Sequence, residues 1–252
     1  MNDQVTHIGT SDMTSITVRG KNLVGDLIGQ RSFTDMLYFL TCKRFPTAGE
    51  ARILDACLVT LMEHGLTPSS IIARLMIDSV PQEIQVAMAS GLMAIGSVFA
   101  GTMEGCANLI LAAQARESDL ELFCRETLQA HRAAKTVLPG FGHPIHKPDD
   151  PRTAKLFEVA RDAGASGRYI GLLQQVSHHV DAILGKHLTI NATGAIGALL
   201  LEIQMPPSVM RGIAVVSRSG GLIGHIEEER EIGSARRIWE LAQQNIPYVD
   251  DI

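Results

Sequence analysis

From Ser32 onward, apolar residues recur at the spacing of a single helix face, and this periodicity constrains the fold more than any other feature of the chain. Phe33, Met36, Leu37 and Leu40 share one face behind Ser32, a good N-cap residue, until Pro46 ends the run. Residues 47–63 repeat the pattern with Ile53, Leu54, Cys57, Leu58 and Leu61. Comparable segments predict helices at 69–79, 84–98, 119–137, 152–163, 172–184, 194–203, 207–224 and 234–243. The start reads differently, as short extended pieces with Ser15-Ile16-Thr17-Val18 as a small strand before the Arg19-Gly20 turn. Aromatic residues make up only 4% of the chain, while Ala, Leu, Ile, Gly and Met abound, a balance that suits close helix packing better than a β-sandwich. The expected class is therefore all-α with a short extended N-terminal lead-in. No fixed-period repeat or low-complexity tract interrupts it.

One stretch breaks the helical pattern. Residues 140–152 read Gly-Phe-Gly-His-Pro-Ile-His-Lys-Pro-Asp-Asp-Pro-Arg. Gly140 and Gly142 favour left-handed backbone, and Pro144, Pro148 and Pro151 lack the amide donor that a helix interior needs. A backbone held this way carries two imidazoles, a lysine, two carboxylates and an arginine at the first turn of a new helix. That set suits a polyanionic substrate with a carbonyl or hydroxyl to polarise.

Charge removes other function classes. The net charge is −5, and no basic stripe alternates with aromatics, so nucleic acid is not an expected partner. Cys42, Cys57, Cys106 and Cys124 show no CxxC spacing and sit in apolar surroundings, which reads as free thiols in a reducing compartment. The N-terminus has neither the basic nor the apolar region of a secretory signal. Residues 84–103 carry no formal charge, but Gln85, Ser90, Ser97 and Thr102 with their glycines fit a buried helix better than a membrane span. The expected location is cytoplasmic. His143 and His146 form a His-x-x-His pair and His178-His179 precede Asp181, yet Pro144 spoils helical ligand geometry, so no metal is expected. Gly220-Gly221-x-x-Gly224 lacks the strand-turn-helix context of a dinucleotide fingerprint and is read as helix packing.

Taken together, the motifs resemble those of the citrate synthase family. Ile16-Thr17-Val18-Arg19-Gly20, Asp26-Leu27, Ser32-Phe33, Tyr38-Phe39-Leu40 and Pro46-Thr47 are similar to its N-terminal signature. Glu63-His64-Gly65, Gly101 to Asn108, the Gly140 to Arg152 loop, Val180 to Gly185 and Val216 to His225 resemble five further blocks in the same order. The last two look most like the citryl-CoA lyase subgroup, either stand-alone or as the C-terminal module of ATP-citrate lyase. The resemblance implies a larger helical domain formed by residues 1–104 and 188–252. It places a small domain, 105–187, so that it closes over the cleft.

It also implies roles. His143 matches the histidine that faces the oxaloacetate carbonyl, and would accept the citryl hydroxyl proton in cleavage. Asp181 matches the carboxylate that exchanges a proton with the acetyl methyl, and its apolar neighbours make it half buried. Arg152 and Arg218 match the arginines that grip substrate carboxylates, and His64 a further substrate contact. Lys147, Gly140 and Gly142 fall where the family binds CoA. Glu104 replaces the histidine that donates a hydrogen bond to the thioester oxygen in synthases, and it is counted among the catalytic residues. An ionised carboxylate cannot donate, so Glu104 would be protonated in a dry pocket, or backbone amides near Gly105 and a water would serve instead. The change is expected to favour cleavage over the hydrolysis that makes citrate synthesis irreversible. Arg236 and Arg237 are the candidates for the arginine that synthases take from a partner subunit.

The implied activity is citryl-CoA lyase, retro-aldol cleavage to acetyl-CoA and oxaloacetate. Two alternatives stay open: citrate synthase or the same chemistry on a related 3-hydroxy-acyl-CoA, and a non-catalytic CoA-thioester-binding subunit. No cofactor is implied, because the CoA thioester is a substrate. A homodimer or higher homo-oligomer is expected, supplied with citryl-CoA by a separate enzyme.

Overall fold

The structure is a computed structural model that describes residues 4–96 and 101–250. The lead-in forms a small antiparallel sheet of β1 (Gly9–Ser11), β2 (Ile16–Val18) and β3 (Lys21–Asn22), with Thr10 opposite Thr17 and Thr17 opposite Asn22. Eleven α-helices follow among the described residues: α1 (Phe33–Cys42), α2 (Ala48–Met62), α3 (Pro68–Ser79), α4 (Ile84–Met93), α5 (Gly101–Gln114), α6 (Leu120–Ala133), α7 (Pro151–Asp162), α8 (Arg168–Leu184), α9 (Ala192–Glu202), α10 (Pro207–Ile232) and α11 (Ala235–Asn245).

Local chemistry sets several of these boundaries. Ser32 and Thr47 each close a capping box with the acid three positions on, Asp35 and Glu50, which satisfies orphan amides at the starts of α1 and α2. The glycine at the start of α8 has no side chain to cap with, and Glu202 from the end of α9 does that work: its carboxylate accepts from the amides of Gly167, Tyr169 and Ile170.

The α9 helix is the central post. Ala195, Ile196, Ala198, Leu199 and Leu200 are all 0% exposed, because α2, α5, α7, α8 and α10 pack around it. Each fully buried Leu or Ile contributes about 1.5–3 kcal/mol over an exposed one, so this helix anchors the main core. A second, smaller cluster of Ala73, Ile77, Ala87, Leu222 and Ile226 joins α3, α4 and α10. Arg74, buried at its edge, pairs with Glu229 at 3.0 Å and also holds Glu228 and His225.

Several elements differ from the sequence expectation, among them α6, which ends at Ala133 and not at 137. Helix α5 was not anticipated, since Gly101 and Gly105 weaken the local propensity, and its packing on α8, α9 and α10 supplies what propensity does not. Helix α10 does not stop at Gly224 but runs to Ile232; the left-handed C-cap is Gly233, at φ 67°. Helix α4 ends at Met93, short of 98, and Val98 lies outside the described residues. Helix α8 begins at Arg168, before Leu172, on the amides that Glu202 caps.

Candidate active site

A cavity of about 420 Å³ opens where the end of α2, the start of α3, the 140–152 loop, the start of α9 and the middle of α10 meet. His64, Gly142, His143, Arg152 and Arg218 all line it, with Thr60, Thr102, Asn191 and Thr193 adding polar edges. Five residues picked out from three separate sequence motifs thus converge on one space.

Two close backbone approaches shape it. Gly140, at φ +83°, lies so near α5 and α9 that a Cβ there would come within 2.4 Å of Cys106 Sγ and 2.9 Å of Gly194 Cα. This pins the loop to the buried helices. Gly221 lets α10 cross the end of α2, where a Cβ would stand 2.1 Å from the Met62 carbonyl oxygen. That crossing brings Arg218 toward His64.

The centre of the site is Arg152. Asp150, whose side chain is fully buried, caps α7 by accepting from Arg152 N at 3.1 Å. It also holds the guanidinium in a fork, Nε at 2.9 Å and Nη2 at 2.8 Å, and accepts from the Ala192 amide at 3.1 Å. Burial pushes the Asp150 carboxyl up, but the guanidinium and the amides outweigh it and hold the group below its ordinary value. The same guanidinium touches two imidazoles, His64 Nδ1 at 3.2 Å from Nη1 and His143 Nε2 at 3.3 Å from Nη2.

These contacts decide proton positions. His143 Nδ1 accepts from the amides of Ile145 and His146, at 3.1 and 2.9 Å, so the neutral ring carries its proton on Nε2. A guanidinium can only donate. The contact between His143 Nε2 and Arg152 therefore sets two donors side by side, and an oxygen acceptor placed between them would satisfy both. His64 Nδ1 accepts from Arg152, which leaves its own proton on Nε2 as well. Burial, with neighbouring cationic and imidazole groups, holds both histidines below the ordinary value, which keeps them neutral. The tautomer thus makes His143 a hydrogen-bond donor on the cleft wall.

Arg218 adds a second cationic arm. Its Nη1 is buried with no hydrogen-bond partner among the described residues, and burial lowers its pKa. A buried donor without a partner is costly, and an anionic oxygen would satisfy it. Nearby, Glu63 accepts from the amides of His64 and Gly65 and lies 3.0 Å from His225 Nε2. That contact has ion-pair distance but is off the line of a hydrogen bond. Arg74 Nε in turn donates to His225 Nδ1 at 3.0 Å, so the turn carrying His64 is braced from the α3/α10 core.

Other singled-out residues lie outside the cavity wall. Asp181, 28% exposed, stands near the end of α8 and accepts from His187 Nδ1 at 2.6 Å and Leu188 N at 2.8 Å. Glu104, one residue past the wall residue Met103, pairs with Arg211 at 3.2 Å and is 30% exposed. It is an acceptor toward Arg211 and is not enclosed in a dry pocket. Lys147 is exposed, and Gly140 lies beneath the loop. Arg236 pairs with Asp78 and Arg237 with Glu240 on the surface. Asp150, His187 and Asn191, whose Nδ2 donates to the Gly142 carbonyl at 2.9 Å, were not singled out from the sequence. For Asp150 a signal existed, an acidic residue directly before Pro-Arg at a helix start. Among the described residues no group of three or more His, Cys, Asp and Glu side chains converges as metal ligands, and no helix is long and apolar enough to cross a membrane.

A helical fold with a buried central post here carries two arginines and two histidines around one cleft, a lining that suits anionic groups. The family described as citrate synthase, C-terminal domain, matches residues 29–240, and the chain belongs to the citrate synthase family. Citryl-CoA lyase from Hydrogenobacter thermophilus superposes with a TM-score of 0.88 at 27% identity, covering 100% of this chain and 96% of that one. ATP citrate lyase from Methanosaeta concilii, solved with (3S)-citryl-CoA, gives a TM-score of 0.82 at 22% identity, covering 100% of this chain and 42% of that one, a likeness of fold. The ATP-citrate synthase beta chain protein 1 of Arabidopsis thaliana is 25% identical over 246 residues, 90% of this chain. The chain spans only 38% of that relative's length.

Proposed function

We propose that the protein is a citryl-CoA lyase, cleaving citryl-CoA to acetyl-CoA and oxaloacetate. The observation that carries this is a set of four side chains on the cleft wall that face it as donors: His64 and His143 present Nε2–H, and Arg152 and Arg218 present guanidinium N–H groups. Oxaloacetate offers only acceptors, two carboxylates and a carbonyl, and matches those four donors. The full-length likeness to citryl-CoA lyase supports the same reading.

In cleavage, the bond between the acetyl unit and the hydroxyl-bearing carbon breaks. The hydroxyl passes its proton to a water retained in the cleft, since His143 Nδ1 is taken by two amides, and that proton replaces the one Asp181 gives to carbon; the oxygen becomes the oxaloacetate carbonyl, with His143 Nε2–H and Arg152 stabilising the negative charge that develops on it. One such preorganised donor is worth about 2.7–4 kcal/mol of barrier. Arg218 and His64 hold carboxylates. The bonding electrons pass to the thioester enolate, whose carbon takes a proton from Asp181 in its acid form. With Glu104 engaged by Arg211, enolate stabilisation falls to backbone amides and water. Residues 105–187 act as the small domain, which closes over the cleft and sheds water before chemistry. A second copy and a separate citryl-CoA-forming enzyme complete the assembly.

The test incubates purified protein with citryl-CoA while free oxaloacetate and free thiol are followed. Oxaloacetate release with little free thiol is expected. Stoichiometric free CoA with citrate, and no oxaloacetate, would overturn the assignment.

A further inference from the structure

Helix α8 ends in a left-handed cap at Gly185, φ 65°, which turns the chain back so that His187 and Leu188 face the helix's own last turn. Asp181 lies in that turn. Its Oδ1 accepts from Leu188 N at 2.8 Å and its Oδ2 meets His187 Nδ1 at 2.6 Å. The other face of the same imidazole, Nε2, meets Asp149 Oδ1 at 3.1 Å. One ring thus bridges the end of α8 and the loop that carries His143 and Asp150. We propose that His187 is the positioning residue of Asp181, orienting its carboxylate through the Nδ1–H bond while Asp149 fixes the ring from behind. This rests on the lyase reading, in which Asp181 delivers a proton to carbon.

Three observations support it. First, both Asp181 oxygens are engaged, one by backbone and one by His187, so the carboxylate cannot rotate while the ring stays in place. Proton transfer to carbon tolerates little angular error, and a displacement of 1 Å costs on the order of 100-fold in rate. Second, the ring is held on both edges, Nδ1 at 2.6 Å from Asp181 Oδ2 and Nε2 at 3.1 Å from Asp149 Oδ1, so it cannot turn away from Asp181 without breaking both contacts. The charged groups that face this ring are those two carboxylates. Third, the contact is a weak source of stability. His187 is 44% exposed and Asp149 76% exposed, and pairs of that kind contribute little to folding. An exposed histidine held between two acids, one of them the proposed catalytic carboxylate, is better explained by orientation than by stability.

Two isosteric replacements separate the roles. The amide nitrogen of His187→Asn occupies the place of Nδ1, keeping the bond to Asp181 and losing Asp149. The longer side chain of His187→Gln places its nitrogen near Nε2, keeping Asp149 and losing Asp181. The assays are kcat and KM for citryl-CoA cleavage, and exchange of acetyl-CoA methyl protons in D2O with malate as the dicarboxylate. His187→Gln should lower kcat and exchange together by about 10–100-fold, with KM near the wild-type value. His187→Asn should recover most of that loss, and thermal melts of both variants should match the wild type. His187→Gln with unchanged kcat, a change in KM alone, or His187→Asn as impaired as His187→Gln would overturn the assignment while leaving the lyase reading intact. Wild-type protein that neither cleaves nor exchanges would overturn both.

Discussion

Replacing Asp150 by Asn probes the joint on which the site hangs. The wild-type carboxylate, fully buried, accepts from Arg152 N and Nε through Oδ1, and from Arg152 Nη2 and Ala192 N through Oδ2. Asn keeps one acceptor oxygen and turns an NH2 group toward the other two donors, leaving them buried and opposed. Each unmet donor costs about 1–3 kcal/mol, and breaking a buried ion pair about 3–5 kcal/mol in all. The loss should be near that upper range, because the same carboxylate caps α7 and ties it to the first amide of α9. Urea unfolding followed by circular dichroism at pH 7 measures it. The sign in acid follows from the direction of the shift. The folded Asp150 carboxyl lies below the ordinary 3.8, so its contribution is complete above that value and is lost as pH falls through the lower folded one. The gap between wild type and Asp150→Asn should therefore be constant from about pH 8 to 5 and shrink below about pH 4. A released Arg152 should also raise the KM for the dicarboxylate. A variant within about 0.5 kcal/mol of wild type, the spread of an ordinary surface substitution, or a gap that widens in acid, would refute the reasoning.

Three further outcomes follow from the same geometry. Arg218→Met removes a buried guanidinium whose Nη1 lacks a partner among the described residues, so the unliganded protein should melt at an equal or higher temperature, whereas oxaloacetate binding should weaken about 10–100-fold, measured by calorimetry. Gly140→Ala forces a Cβ within 2.4 Å of Cys106 Sγ at a φ of +83°, and should destabilise by more than about 3 kcal/mol or prevent folding, as read by denaturant titration. The neutral forms of His143 and His64 are the useful ones and both pKa values are lowered, so the acid limb of kcat/KM should fall below the ordinary histidine value of 6.5; a limb above 6.5 would contradict the donor assignment.

What could be read without coordinates divides along physical lines. Helices with a one-sided apolar stripe and a capping residue, α1 and α2, were legible because propensity, cap and pattern agree. Helix α5 was not, because its glycines weaken the local signal and its stability comes from packing on α9. The pocket side chains His64, His143, Arg152 and Arg218 stood out because each lies in a short block with its own glycine or proline punctuation. What those side chains do was harder to read, since it depends on partners distant in sequence or on backbone groups. The donor character of His143 comes from two amides brought round by the turn at Pro144, and no spacing rule announces a tautomer. Glu104 reads from its block as a site acid, yet its partner Arg211 lies on α10, and the pairing forms only once α5 and α10 are packed together. Asp181 shows the same principle most sharply. Its apolar neighbours foretell partial burial, but the ring that holds it arrives through the reversal at Gly185 and is itself held by Asp149 of the loop. Chemistry-bearing residues are thus written locally, whereas their protonation and aim are set by the contacts that the fold brings to them.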